Sequence, residues 1–285
     1  MRLVTTTFSW TAKLLSILLL CVASSVAAAQ TVSLPVNVQA SGNHAEITIG
    51  TALLPVADVT LDFQDASGLS PSSLGATAQV VSLLDSTLLA RLPDLDLTNL
   101  TSAFPVLLTI EPPANGGLTF RDTGRLEIHT HDLPYSVGSS FRVFKAPLLG
   151  PFRDVTDEIA KGSVRARTTY GGFSQFLILV DLRSTSVVID EKIDWLRDKV
   201  ATLPLSERDP FETLLNQTEA AVDVADYATA LSAIEAFRSR AQTRAGLYIP
   251  NEWRATHDVD NQAGDLVAGA NTLRFSVAYL RDFGL

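Results

Sequence analysis

The residues of this chain best suited to chemistry stand in one heptapeptide, Arg-Leu-Glu-Ile-His-Thr-His, at Arg125–His131. In an extended strand, side chains alternate between faces. Arg125, Glu127, His129 and His131 would then share one face, and Leu126, Ile128 and Thr130 the other. A His-x-His pair so placed can grip Zn²⁺ or Cu²⁺ through its imidazole nitrogens, with Glu127 as a third ligand. The same alternation has a plainer reading. The opposite face is apolar, and antiparallel sheets commonly bury one face and wet the other. The histidines are therefore expected on the solvated side of a half-buried strand, with a metal centre at Glu127, His129 and His131 as the competing expectation. Elsewhere the sequence offers His44 and His257 alone.

Other chemical signatures fail on inspection. Gly68-Leu69-Ser70-Pro71-Ser72 begins like a nucleophile elbow, but its second glycine is missing and Pro71 spoils the turn. No zinc-protease, phosphate-loop or dinucleotide fingerprint is present. Asp258-Val259-Asp260-Asn261 departs from a calcium loop, because Gly264 falls one place late and Gly269 stands where the bidentate glutamate belongs. No catalytic residue and no cofactor are assigned. Large rings offer a different chemistry: Tyr248 and Trp253 flank the break at Pro250 and form a candidate ligand-binding platform. Trp195 lies beside an apolar stripe and is expected in a core or between domains.

The elements that position these residues change character along the chain. From Thr31 to about Leu182 apolar residues recur every second position, as in Val59, Leu61 and Phe63 or Val164 and Ala166. Phe104–Ile110 and Phe176–Val180 are continuous apolar runs, read as strands buried on both faces. Turn residues such as Ser67-Gly68, Asn115-Gly116-Gly117 and Gly171-Gly172 separate them. Short strands at close spacing predict an antiparallel, immunoglobulin-like β-sandwich. A short helical turn is expected at Asp154–Ala160, with Asp154 as its cap.

After Thr185 the period becomes helical. Ile189, Ile193, Leu196, Val200 and Leu203 form one stripe, ended by Pro204. Asp209-Pro210-Phe211-Glu212 reads as the start of a second helix, with Asp209 at N-cap and Pro210 at N1. Asp226 caps a third, and Asn251–Leu280 supplies a fourth. The fold class is α+β with segregated parts: a sandwich domain at 30–185 and an antiparallel helical bundle domain at 186–285.

The segment Leu214–Arg240, with Ala230, Ile234 and Phe237 at helical spacing, resembles the paired helices of the FIMAH-type module. Gly150–Asp181 resembles the closing strands of exported bacterial proteins grouped as a family of unknown function. Both resemblances imply an exported bacterial protein, and neither implies an activity.

The N-terminus agrees with export. Arg2 and Lys13 precede an apolar run, Leu14 to Val22, too short to span a bilayer. Ala27-Ala28-Ala29 then supplies small residues for cleavage of a 1–29 signal peptide between Ala29 and Gln30. No stable membrane anchor is expected. Removing 29 of 285 residues leaves 256, without Cys21, the single cysteine. Disulfides and thiolate metal sites are therefore excluded, and a core of that size does not need them. The leader holds two of the 22 Lys and Arg and none of the 31 Asp and Glu, so the mature chain is at −11. Nucleic acid as a partner is disfavoured, since binding it requires clustered cations. The leading expectation is a non-enzymatic structural, adhesive or interaction protein of the periplasm or exterior, its partner an extracytoplasmic protein or glycan. A carbohydrate- or ligand-binding protein and a metal-dependent hydrolase centred on His129 and His131 are the alternatives.

Overall fold

The computed structural model describes residues 31–284. The expected signal peptide and Ala29/Gln30 cleavage point lie outside the described residues. From Thr31 onward the chain forms one compact unit. Two antiparallel sheets build its body. The first runs in the order β1 (Val32–Leu34), β5 (Ala76–Val80), β7 (Val106–Ile110), β13 (Gln175–Asp181), β9 (Phe141–Ala146), β10 (Arg153–Asp154), and β6 (Thr98–Leu100) also pairs with β13. The second runs β11 (Glu158–Ala160), β12 (Ser163–Tyr170), β8 (Thr119–Pro134), β4 (Leu54–Ser67), β3 (His44–Thr51), β2 (Val36–Ser41), with β14 (Glu252–Arg254) added to β8.

The alternation seen in the sequence is the alternation of burial. Val59, Leu61 and Phe63 of β4, and Leu126 and Ile128 of β8, point inward to meet Leu108, Val143, Phe176 and Ile178 of the first sheet. The first sheet is also covered outside, where Leu107, Phe144, Leu177 and Leu179 pack against Val81, Leu88 and Leu92. That cover is why its strands read as unbroken apolar runs. It is supplied by the segment around the single-turn helix α2 (Ser86–Leu89); a similar turn, α1 (Pro71–Leu74), follows β4.

Four longer helices follow the last long strand: α3 (Thr185–Ala201), α4 (Leu205–Asp223), α5 (Tyr227–Arg244) and α6 (Gln262–Phe283). They share their own apolar cluster, which includes Ile189, Leu196, Phe211, Ile234, Phe237, Leu266 and Leu273. The α+β architecture read from the sequence is the one found. Among the described residues no helix is long and apolar enough to cross a membrane.

Three local expectations are corrected. Asp154–Ala160 is not a helical turn but parts of β10 and β11. Asp154 and Val155 are buried, and Asp154 turns its carboxylate to Thr156 and to Lys192 of α3. The second long helix begins at Leu205, so Pro210 lies inside it and Asp209 is not its cap. The earlier start is secured by Glu207, which is 3 % exposed and receives hydrogen bonds from Arg240 and Arg244 of α5. Pro210 forfeits one helical hydrogen bond, a loss the buried ion cluster outweighs. The fourth helical segment begins at Gln262, because Glu252–Arg254 first pairs with β8 as a strand.

Asn261 then fastens α6 to the sandwich. Its Oδ1 caps Gly264 N at 2.9 Å, while its Nδ2 donates to Asp122 O at 2.6 Å and Gly171 O at 3.0 Å. Gly269 allows α6 to lie against α3, since a Cβ there would stand 2.5 Å from Leu196 Cδ2 and 2.6 Å from the Trp195 ring.

Candidate functional site

The principal concavity lies where the β9–β10 edge of the first sheet faces α3 and α6. It has two chambers, of about 380 Å³ and about 320 Å³, both lined by Pro147, Arg153 and Trp195. Ligand pockets commonly begin near this size. The larger chamber is walled by Phe152, Val188 and Gly269 as well, and is mostly apolar. The smaller adds Lys145, Ser174, Lys199, Trp253, Asp260 and Asp265.

Charge in this cleft is unevenly matched. Lys192 Nζ meets Asp154 Oδ2 at 2.7 Å, Arg183 Nη1 meets Glu191 Oε2 at 2.6 Å, and Lys199 Nζ meets Asp265 Oδ2 at 2.5 Å. Among the described residues, Arg153 and Lys145 form no such ion pair. The Arg153 guanidinium lies 3.7 Å from the centre of the Trp195 ring. The Lys145 amine donates to Gly172 O. Burial pushes the Lys145 amine down to about 8 and the Arg153 guanidinium down to about 10, against the attraction of Asp265. Both groups are half-buried and stand without a carboxylate in contact. A buried charge is costly until it is paired. The signal in the sequence was faint: Lys145 is one polar position in Phe141–Ala146, and Trp195 stands beside a helical stripe.

The histidine face is open on one side to solvent, as the alternation predicted. His129 and His131 lie with ring centres 5.2 Å apart. The structure brings Asp58 of β4 to them, where β4 pairs Asp58 opposite His129. One ligand atom from each of Asp58, His129 and His131 lies within 4.8 Å of the others. His131 Nε2 is 3.0 Å from Asp58 Oδ2, and His129 Nε2 is 2.8 Å from Ser163 Oγ. Glu127, the third ligand expected from the sequence, is engaged elsewhere. Its carboxylate accepts hydrogen bonds from Arg165 and Arg167 of β12. Burial works to raise the Glu127 pKa, but these arginines hold it below the usual carboxylate range. Burial, Arg165 and His131 lower the His129 pKa, so its ring is neutral at neutral pH. Asp58 was detectable only as one polar position in Val56-Ala57-Asp58-Val59, since nothing in one strand names its neighbour.

Tyr248 and Trp253 do not make a shared platform. Tyr248 is 55 % exposed with Arg244 3.6 Å above its ring. Trp253 is 6 % exposed, stacked on Phe120 at 5.4 Å inside the sandwich. Only an edge of Trp253 reaches the cleft, on the side where Trp195 and Lys145 stand.

Architecture and clusters together define an α+β protein whose two-sheet body and helical flank enclose a tryptophan-lined cleft of mixed charge. A model described as a family of unknown function, DUF6689, matches residues 17–281, and the chain belongs to that family. No curated protein and no solved structure matches it.

Proposed function

We propose that the protein is an exported, non-enzymatic ligand-binding protein, and that its cleft between the β9–β10 edge and α3 takes a small acidic saccharide. The observation that carries the reading is the pair of half-buried cations, Arg153 and Lys145, set beside Trp195 and Trp253 without contacting acids of their own. A ligand carboxylate would supply the missing charge, and charge-assisted hydrogen bonds are the strong ones. The apolar face of a sugar ring suits the tryptophan-lined wall. Within the broader expectation of an interaction protein, this narrows the partner to a glycan acid. Export rests on the leader-like stretch ahead of Gln30 and on the resemblance of Gly150–Asp181 to exported bacterial proteins.

The test is a binding screen of the chain from Gln30 onward against neutral and uronic-acid oligosaccharides. Acidic ligands should be retained, and Lys145→Met or Arg153→Met should weaken them about tenfold, the loss expected for one charged contact. Equal retention of neutral sugars, or none of either, would contradict the reading. N-terminal sequencing of the protein recovered from its native envelope should begin at Gln30; an intact Met1 would refute export.

A further inference from the structure

The geometry points to a second, independent site: Asp58, His129 and His131 form a three-ligand centre for a divalent transition ion of the zinc type on the outer face of the second sheet. Two imidazoles and a carboxylate are a ligand set that zinc accepts, with water completing a tetrahedron. The donors stand on two hydrogen-bonded neighbouring strands, β4 and β8, rather than on loops. They already converge, with one ligand atom from each within 4.8 Å of the others. In the His131–Asp58 contact, 3.0 Å long, a metal takes the place of the shared proton. Ser163 holds the His129 ring from behind at 2.8 Å, the kind of second contact that orients a ligating imidazole.

The surroundings fit as well. Arg165 and Arg167 would repel a cation, but both are drawn onto Glu127. Glu127 is therefore a charge shield beside the centre and not a member of it. His44 lies on the same sheet face but is held by Asp62 at 2.7 Å and Glu46 at 3.4 Å. It makes a suitable control.

Zinc chloride alone, titrated calorimetrically into the metal-stripped protein, is the test. One equivalent should bind. His129→Ala, His131→Ala and Asp58→Asn should each weaken binding about tenfold or more, as loss of a ligand contact does. His44→Ala should leave affinity within about threefold, and Glu127→Gln, which only frees the two arginines, should cost less than any of the three ligand changes. All five positions are at least partly solvent-facing, so circular dichroism melting should show each variant folded. Less than about a tenth of an equivalent bound, or binding untouched by His129→Ala, would overturn the assignment. So would a loss with Glu127→Gln that Asp58→Asn does not share.

Discussion

Asp157 shows how a single carboxylate can set the pH response of this molecule. It lies in the stretch Asp154–Ala160 expected as a helical turn. It stands instead between β10 and β11, with Oδ1 buried and unpaired and Oδ2 accepting from Thr169 Oγ1 at 2.6 Å. Burial raises its pKa to about 7, against the Thr169 hydrogen bond. The folded state therefore binds a proton that the unfolded chain releases near pH 4. Stability from this group is complete below about pH 4 and is lost as pH rises through about 7. Asp157→Asn should remove that slope, so urea midpoints of wild type and variant should diverge between these limits, the wild type falling as pH rises. Parallel midpoints would show that the carboxyl is ionised throughout. The histidine face was legible at this scale because alternation is a property of one strand. Asp58 and the burial of Asp157 were not, because both depend on which strands become neighbours.

The elements were easier to recognise than to delimit. Helical stripes at Ile189–Leu203 and the cap at Asp226 stand where the spacing placed them, with Asp226 Oδ1 accepting from Thr229 N at 3.1 Å. The misplaced start at Asp209 followed a sound local rule that a distant ion cluster overrode. Lys192 of α3 is a sharper case of tertiary control. It is 5 % exposed and bonded to Asp154, Ser276 Oγ at 2.8 Å and Thr272 O at 3.2 Å, so it joins the first sheet to two helices. Lys192→Met leaves Asp154 as an unpaired buried charge and should cost about 3–5 kcal/mol by urea denaturation. Adding Asp154→Asn should recover a large part of that loss, because the neutral amide still caps Thr156. A double variant no better than the single would show that packing, not charge, is what Lys192 supplies. Asn261→Ala removes both a helix cap and two ties to the sandwich, and should cost about 2 kcal/mol in the same assay. A loss under about half a kilocalorie would show the ties to be redundant.

The sheets and the helices have separate apolar clusters, yet the chain crosses between them three times. After α5 it returns to lay β14 along β8, so that Trp253 enters the sandwich beside Phe120 and Phe173. It then leaves to form α6, which packs back on β12 and β8. The change of period near residue 185 was plain in the sequence, whereas this return was hidden in three residues too few to show alternation. It has a consequence for stability: a chain ending at residue 184 loses the indole that fills its own aromatic core. Such a fragment should show no cooperative thermal transition, and a sharp one would mean that the sandwich folds without its helical partner.

The cleft forms where those two parts meet, and the two tryptophans of the chain from Gln30 onward, Trp195 and Trp253, both line it. Intrinsic tryptophan fluorescence of the chain from Gln30 therefore responds to this site, chiefly through Trp195. On titration with an oligouronate the emission should change saturably, and the change should shrink with Lys145→Met and be absent with the matching neutral sugar. A flat response to the oligouronate, or an equal response to the neutral sugar, would contradict the binding of acidic saccharides in this cleft.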